Sequence, residues 1–310
     1  MGLFPRQLEA VLAGLPWGPN ANAYIVDPVN GSDSNDGKRW TKPLLTLEAA
    51  EDLCVTNQND VVVIVGGPTA LNPAVAIAWD KDYTHLVGLT GNLPGTGQRA
   101  RIVATAAEAH TPVMTIAGDG CIFRNLQFNN EKAAGAASGS VIVTGLRNHF
   151  ENVFFMNPSA TDAASYALKV AGAENAFVRC SIGQATNARG AASYGLWICS
   201  PANTLKFIKC EFRSWCGAAG THALVYIDAD NAGECFGAQF EDCLFENVNG
   251  GADLAVAIDD NCATTDHRIL LRGQCDVVGC TAVADPLTYV YAHDADDAVS
   301  GCLMIAVAES

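Results

Sequence analysis

The sequence predicts an all-β solenoid in which short strands stack in parallel, coil upon coil. The first observation is a phenylalanine that returns at spacings of 27, 27, 30 and 33 residues, a period typical of repeat architectures. The second is that each repeat holds two short apolar pieces, neither of which can bury a face alone, so a core forms only when repeats stack. The recurring residues are Phe123, Phe150, Phe177, Phe207 and Phe240.

Residues 1–22 precede the repeats, and their sequence pattern predicts a short helical docking arm. Pro5 suits the first turn of a helix, and the apolar residues that follow share one helical face. The segment faintly resembles a signal peptide, but Gln7 and Glu9 interrupt its apolar stretch. We therefore expect the arm to bind a partner through large apolar side chains. These anchors are Leu3, Phe4, Leu8, Val11, Leu12 and Trp17.

Residues 23–80 predict the N-terminal cap and the first coils. A strand at 24–26 is followed by the turn-rich loop NGSDSNDG, an amphipathic helix over 45–54 and the buried strand DVVVIVGG at 60–67. The acidic residues of the loop miss the spacing of a calcium loop, so we interpret the loop as a turn. The helix is expected to cover the open end of the solenoid, where unpaired strand edges invite aggregation.

This succession of motifs resembles the entry of right-handed parallel β-helix proteins of the pectate-lyase-like superfamily. The stretch VDPVNGSDSNDG, a Pro-containing "T-hydrophobic-x-x-A" helix and the strand VVVIVGG carry the resemblance over residues 24–67, and the repeats extend it to about residue 280. The resemblance implies a right-handed coil. Enzymes, phage tailspikes and other virion proteins share this fold, so the resemblance implies no single activity.

Residues 81–285 predict the parallel β-helix itself. In the stretch CIFRNLQF, Phe123, Leu126 and Phe128 are expected to point inward. Asn125 lies between them at a predicted two-residue corner, because asparagine tolerates a positive φ. The same corner falls on Asn, Arg, Lys and Asp in the four following repeats.

Three of the 12 cysteines fall in one column of the repeat, namely Cys180, Cys210 and Cys243. Equivalent positions on neighbouring coils lie side by side, so these cysteines are predicted to be free thiols that pack as small buried apolar groups. A disulfide framework is the alternative, but a chain of this length does not need one to be stable. The sequence holds no CxxC pair, and we predict neither a metal site nor a cofactor.

The sequence of residues 286–310 predicts a C-terminal cap. Its stretch CLMIAVA predicts a strand that is expected to pair within an oligomer. Only 16% of the residues are charged, against about 25% in ordinary soluble domains. Such a surface is expected to be covered in an oligomer, which we predict to be a homotrimer; an Ala- and Gly-rich monomer with a neutral polar surface is the alternative.

The charge and hydropathy of the chain argue against two classes of partner. The net charge of −15 repels phosphate backbones, so nucleic acid is not expected as a ligand. No apolar run approaches 18 residues, so no transmembrane helix is expected.

Acidic residues supply the best candidate for catalytic chemistry. Asp228 and Asp259 are 31 residues apart, about one coil, and are expected to lie about 5 Å apart on one face. With Asp260 they would suit acid–base catalysis or a cation, although Asp-rich turns at strand ends are the simpler interpretation. The resemblance implies Asn-Thr-Asp, Asp-Asp and Gly-His-Gly signatures in hydrolases of the superfamily, of which only Asp-Asp occurs here.

The sequence therefore supports three functional hypotheses. The first is a non-catalytic structural protein of a tailed bacteriophage virion, a trimeric decoration or auxiliary head protein on the capsid surface that contacts the major capsid protein or another virion protein. The second is a polysaccharide lyase or glycoside hydrolase, as a tailspike depolymerase or a secreted enzyme. The third is a bacterial surface or carbohydrate-binding β-helix, which exposed aromatic residues such as Trp197 or Trp215 would favour.

Overall fold

The computed structural model confirms an all-β solenoid of parallel strands with one short helix among the residues that it describes. No described helix is long and apolar enough to cross a membrane. The described residues are 14–16, 18–89, 100–105, 110–131, 138–157, 164–188, 193–199, 201–217, 223–228, 237–248, 254–261, 268–285 and 290–292.

The strands are short, and most hold three to six residues. The first half of the chain contains β1 (Ala23–Val26), helix α1 (Leu47–Leu53), β2 (Val61–Val65), β3 (Ile77–Trp79), β4 (His85–Leu89), β5 (Arg101–Ala104), β6 (Met114–Ile116), β7 (Ile122–Asn130), β8 (Gly139–Val143) and β9 (His149–Met156). The second half contains β10 (Ser165–Val170), β11 (Ala176–Val178), β12 (Ser181–Gly183), β13 (Ser193–Ile198), β14 (Leu205–Ile208), β15 (Glu211–Ser214), β16 (Ala223–Ile227), β17 (Ala238–Glu241), β18 (Leu244–Asn247), β19 (Leu254–Asp260), β20 (Ile269–Arg272), β21 (Asp276–Val278), β22 (Cys280–Asp285) and β23 (Val290–Ala292).

Two parallel sheets wrap around the core. The first has 15 strands and follows the order β1-β2-β4-β7-β9-β11-β14-β17-β20-β23, with β5 beside β7 and the branch β12-β15-β18-β21 continuing from β9. The second has eight strands in the order β22-β19-β16-β13-β10-β8-β6-β3. Each coil thus adds strands to both sheets, and the stack continues across the predicted segment boundary at residue 80.

The phenylalanine column forms the spine of the core. Phe123, Phe150, Phe177, Phe207 and Phe240 pair in register from coil to coil, as the spacing predicts. Their side chains are 0% exposed, and consecutive rings stack with centroids 4.6 to 4.9 Å apart. Stacking every coil on the next therefore buries the rings of Phe150, Phe177 and Phe207 each between two others, which a single repeat could not do.

The predicted corner beside this column is left-handed in every coil where it recurs. Asn125, Asn152, Arg179, Lys209 and Asp242 have φ values between 52° and 57°. The Asn152 side-chain amide also donates a hydrogen bond to the Asn125 side-chain oxygen at 2.8 Å. Asparagine and aspartate tolerate this conformation, whereas arginine and lysine adopt it because the stack dictates the path of the backbone.

The cysteine column confirms the prediction of buried free thiols. Cys180, Cys210 and Cys243 are free and buried, and Cys275 continues the column as a half-buried thiol. The thiols of Cys180, Cys210 and Cys243 donate to phenylalanine carbonyls of the preceding coil at 3.4 to 3.5 Å. Burial raises the pKa of Cys210 well above its ordinary value, so this thiol packs as an uncharged group.

The helix predicted for the N-terminal cap covers residues 47–53, within the predicted span of 45–54. Thr46 caps it, because its hydroxyl accepts a hydrogen bond from the Ala49 amide at 3.3 Å. Leu47 and Ala50 are buried in the main core. Asp33 accepts hydrogen bonds from the Thr46 amide and hydroxyl at 2.9 and 3.0 Å, which confirms that its loop is a structural turn.

The predicted docking arm is described only at its end. Leu15 is buried against Val61, Val63 and Val87 on the outer side of the first sheet, so this part of the arm packs on its own β-helix. The predicted anchors Leu3, Phe4, Leu8, Val11, Leu12 and Trp17 lie outside the described residues, as does the predicted strand CLMIAVA.

Candidate functional site

The outer side of the second sheet carries a cluster of aromatic and charged side chains, which we call the aromatic face. Alternate residues of a strand point away from the core, so strands β10, β13, β16 and β19 supply one outward column. In this column Lys169 pairs with Trp197, and Trp197 pairs with Tyr226. Tyr226 pairs in turn with Asp259. The aromatic face consists of Tyr166, Lys169, Tyr194, Trp197, Tyr226, Asp228 and Asp259.

Trp197 lies among three tyrosine rings. It meets the rings of Tyr166 and Tyr194 edge to face at centroid distances of 5.7 Å, and that of Tyr226 at 5.6 Å. The rings of Tyr194 and Tyr226 stack at 4.2 Å with an interplanar angle of 11°. Such aromatic pairs contribute about 0.5–1.5 kcal/mol each beyond the burial of area, so the rings hold one another in place.

Polar contacts fix the same rings from the sides. The Lys169 ammonium lies 4.0 Å from the centroid of the Trp197 ring, a cation–π contact. The indole Nε1 of Trp197 donates a hydrogen bond to Asp228 Oδ2 at 3.0 Å. Asn261 Nδ2 donates to the Tyr226 hydroxyl at 3.2 Å. Trp197 is therefore oriented by a cation above its ring and by a carboxylate at its edge.

The phenols of Tyr166 and Tyr194 remain protonated over the physiological range. Burial, and to a smaller extent the nearby Tyr226, Asp259 and Asp228, raises the pKa of Tyr194 to about 12. Burial likewise raises the pKa of Tyr166 to about 12. The pKa of Cys199, which follows β13, rises to about 11 mainly through burial. These groups can serve as hydrogen-bonding partners, and none of them is set up as a base or a thiolate nucleophile at neutral pH.

The outer side of the first sheet has a different character. There Glu151 forms ion pairs with Arg124, at 2.9 Å, and with Arg179 on the next coil. Farther along, Arg213 pairs with Glu246 at 3.1 Å. These half-exposed charges satisfy one another, which is typical of a solvated surface.

The structure corrects the predicted pairing of the acidic residues. Asp259 pairs with Tyr226, 33 residues earlier, and not with Asp228, because the connection between β16 and β19 is two residues longer than the repeated Ile-Asp pattern suggests. Asp228 and Asp259 nevertheless both belong to the aromatic face. Asp260, 4% exposed, pairs with the core residue Ile227 instead. A catalytic role for these residues stays a prediction.

Trp197 is among the aromatic residues predicted from the sequence, whereas the three tyrosines and Lys169 of the aromatic face are not. A signal for part of the cluster was present, because SYALKV at 165–170 and SYGLWI at 193–198 place a tyrosine and a large outward side chain at equivalent positions. Trp215, the other tryptophan considered, is 36% exposed and follows β15 of the first sheet. It lies outside the aromatic face.

The described residues show no grouping that would hold a metal ion: among them, no three His, Cys, Asp or Glu side chains come together in a suitable arrangement. In the Asp-rich loop near the N-terminus, the aspartate side chains accept hydrogen bonds from backbone amides. Asp33 accepts hydrogen bonds from the Leu45 and Thr46 amides, and Asp36 accepts one from the Lys38 amide.

Comparison with known proteins identifies the fold. No family model matches the chain, and no curated protein matches it. Among solved structures, a rhamnogalacturonan lyase is similar with a TM-score of 0.57 and 15% identity, over 83% of this chain and 69% of that chain. Pectate lyase Pel9A follows with a TM-score of 0.54 and 14% identity, over 91% and 80%. Pectin methylesterase PemA from Erwinia chrysanthemi has a TM-score of 0.52 and 14% identity, over 89% and 82%.

At these identities the likeness establishes the fold alone. The chain has the right-handed parallel β-helix fold of these structures, as the entry motif and the repeats predict. Activity has to be argued from the side chains of this chain, since one fold carries many functions.

Proposed function

We propose that this chain is a non-catalytic structural protein of a tailed bacteriophage virion, a homotrimeric decoration or auxiliary head protein that presents a saccharide-binding surface. The aromatic face carries the proposal. It joins half-buried aromatic rings, fixed in position, to carboxylate and phenol groups that can bind hydroxyls. Sites for small organic ligands typically combine aromatic surface with a few oriented polar groups.

A saccharide matches this combination of groups. One side of a sugar ring is made of C–H groups that pack on aromatic surface, and its hydroxyls donate hydrogen bonds to carboxylates. Tyrosine and tryptophan supply both an apolar body and a polar tip. Because Trp197 is already oriented by Lys169 and Asp228, little side-chain entropy remains to be lost when a ligand binds.

The virion part of the proposal rests on the composition and on apolar residues elsewhere on the surface. The chain has few charged residues, 16% of the total. Trp215 and Val248 are exposed on neighbouring coils at the end of paired strands β15 and β18, and Val278 is exposed on β21 beside them. A homotrimer or a capsid contact would cover such residues. The capsid surface is the proposed location, with the major capsid protein as partner.

The DNA that flanks the gene tests the virion part. Neighbouring genes for a major capsid protein, a portal or a scaffold support a head protein. Neighbouring genes for sugar transporters or carbohydrate enzymes would contradict the proposed virion function. Sedimentation of the purified protein tests the oligomer, because the proposal requires the mass of three chains.

The docking role of the N-terminal arm is tested by removing residues 1–13. This truncation keeps Leu15 on the first sheet and so leaves the apolar surface of Val61 and Val63 covered. The truncated protein is expected to fold and to lose attachment to capsids. Undiminished attachment would show that the arm is not the docking segment. A glycan array probed with the full-length protein tests the binding part, and an array without signal contradicts it.

A second candidate is polysaccharide cleavage at the same face. The specific observation that favours it is that Asp228 and Asp259, the predicted catalytic carboxylates, both lie among the aromatic residues. Under this alternative the protein shortens a polysaccharide, and Asp228→Asn abolishes the cleavage while the protein stays folded. A broad panel of polysaccharides left intact by the wild-type protein would remove this alternative.

A further inference from the structure

We propose that protonation of His85 in acid releases the end of the N-terminal arm from the first sheet. The part concerned comprises residues 14–16 and 18–22, which we call the arm end. The inference goes beyond the proposed function, because it concerns how the arm is held and not which partner the arm binds.

His85 lies on the outer side of the first sheet and is nevertheless 0% exposed. Successive residues of a strand point to opposite faces, and its neighbour Leu86 belongs to the main core. His85 pairs in register with Val61 on one side and with Ile122 on the other. Both of these residues pack in the apolar cluster of Leu15. The imidazole is therefore buried within a sheet surface that the arm end helps to cover.

Both ring nitrogens of His85 have partners that suit the neutral imidazole. Nδ1 accepts a hydrogen bond from the Ile122 amide at 3.1 Å, so Nδ1 carries no proton. Nε2 then carries the proton and lies 3.3 Å from the acceptor Asn59 Oδ1. A second proton would have to bind Nδ1, where it would face the Ile122 N–H. That link between β4 and β7 would be lost.

Asp60 connects His85 to the arm end. Its carboxylate accepts hydrogen bonds from the Asn22 amide at 2.6 Å and from the Val55 amide at 2.8 Å. Its carbonyl accepts one from the His85 amide at 2.9 Å. The negative charge of Asp60 favours protonation of His85, but burial outweighs it and lowers the pKa of the imidazole to about 4.

The other charged groups around this surface come from neighbouring elements. On β7, Arg124 pairs with Glu151 at 2.9 Å. His149 on β9 occupies the same outward column as His85. Lys38 reaches the arm end, where its Nζ donates to the side-chain oxygen of residue 22 at 2.9 Å. Two of these groups are cations, His149 becomes one in acid, and the Glu151 carboxylate is engaged in ion pairs. None of the four therefore favours a buried charge on His85.

The arm end is the element whose displacement requires the smallest loss of contacts. Leu15 packs on the outer surface of the sheet and not in the main core. Strands β2 and β4, by contrast, pair along five residues, and both contribute to the main core. Local opening involves the parts of a protein with the fewest buried contacts, so the arm end should open before the coils do.

The pH dependence of this opening follows from proton linkage. Once water reaches His85, the imidazole takes up a proton at its ordinary pKa of 6.5, whereas in the closed form its pKa is about 4. The open form therefore binds the proton more tightly, and opening becomes more frequent as the pH falls through 6.5 toward 4. Between about pH 7 and about pH 5 the opening equilibrium should rise about twentyfold.

Hydrogen exchange of the full-length protein, followed by mass spectrometry at these two pH values, tests the inference. His85→Asn removes the titrating group and keeps a side-chain acceptor for the Ile122 amide. Comparison with the wild type at the same pH cancels the intrinsic pH dependence of exchange. Relative to this variant, wild-type peptides from residues 14–26 should exchange about twentyfold faster at about pH 5 than at about pH 7. Peptides from residues 205–212, in β14 and β15, should show no such change.

His149→Asn provides the matched control. His149 is also a histidine on the outer side of the first sheet, and burial also lowers its pKa. This variant should keep the full response of the arm end to pH. Loss of the response in His149→Asn as well would overturn the assignment to His85.

Two further outcomes would overturn the inference. The first is an equal pH response of residues 14–26 in the wild type and in His85→Asn. The second is equal acceleration of residues 14–26 and 205–212 in the wild type, which would mean that acid loosens the whole coil. This second comparison needs no variant, so it decides the question even if His85→Asn does not fold.

Discussion

The aromatic residues inside the coil and those on the aromatic face follow different rules. Inside, Phe150, Phe177 and Phe207 stack on the same residue type in the next coil, with rings inclined by only 6° to 9°. Outside, Trp197 meets three tyrosines edge to face and is held by a lysine and an aspartate. The interior repeats because stacking requires it. The residues of the aromatic face do not need to repeat from coil to coil, so they can differ in the ways that ligand binding requires.

The largest expected effect comes from opening a cavity in the interior. Phe177→Ala removes a ring that is packed between two others and 0% exposed, so it should lower the free energy of unfolding by about 3–5 kcal/mol. Trp197→Ala removes a larger side chain from a half-exposed position and should lower it by less than about 2 kcal/mol. Urea unfolding measures both. Equal losses of unfolding free energy in the two variants would contradict the distinction between the interior and the aromatic face.

The next effect concerns His85, which lies on the first sheet and is 0% exposed. Burial lowers its pKa from 6.5 to about 4, so the folded protein holds this imidazole neutral. Its contribution to stability is present above about pH 6.5 and is lost as the pH falls toward 4, because the unfolded chain then takes up a proton that the folded chain does not.

As the pH falls to about 4, the free energy of unfolding should decrease by about 3 kcal/mol on account of His85, because folding lowers its pKa by roughly 2.5. Urea unfolding of the wild type and of His85→Gln between about pH 7 and about pH 4 isolates it, since the variant lacks the titrating group and keeps side-chain hydrogen-bonding capacity. If both proteins lose the same stability over this range, His85 is not buried as described.

A smaller effect, of opposite sign, is expected at the left-handed corner. Lys209 has a φ of 53°, which lysine disfavours and asparagine tolerates. Lys209→Asn should raise the free energy of unfolding by about 0.5–1 kcal/mol. Arg179→Asn provides the contrast, because it gains the same relief of the backbone but loses the ion pair with Glu151. A destabilised Lys209→Asn would mean that its side chain supports the corner.

The smallest effect is expected on the aromatic face. Tyr226→Phe removes a hydroxyl that accepts a hydrogen bond from the exposed Asn261. The free energy of unfolding should change by less than about 0.5 kcal/mol, because water replaces the lost partner. Thermal unfolding of the variant checks this. A larger loss would mean that the face stabilises the fold and is not reserved for a ligand.

The sequence predicted the interior better than the surface for a physical reason. Inward residues are constrained by both neighbouring coils, so the spacing of Phe123 and Phe150 already contains their pairing. The register of Asp259 depends on the length of a connection that no stacking rule fixes, and the predicted pairing with Asp228 was two residues off. The stack of Tyr194 on Tyr226 joins residues that do not pair in register, so no repeat pattern could reveal it.

The most direct test of the account compares two tryptophans in one binding measurement. Trp197 belongs to the aromatic face, and Trp215, 36% exposed, follows β15 of the first sheet. With a saccharide that binds on the glycan array as probe and sedimentation as a check on assembly, Trp197→Ala should weaken binding by about tenfold or more without changing the mass of the oligomer. Trp215→Ala should leave binding unchanged. Full binding by Trp197→Ala, or loss of the oligomer in that variant alone, would contradict the account.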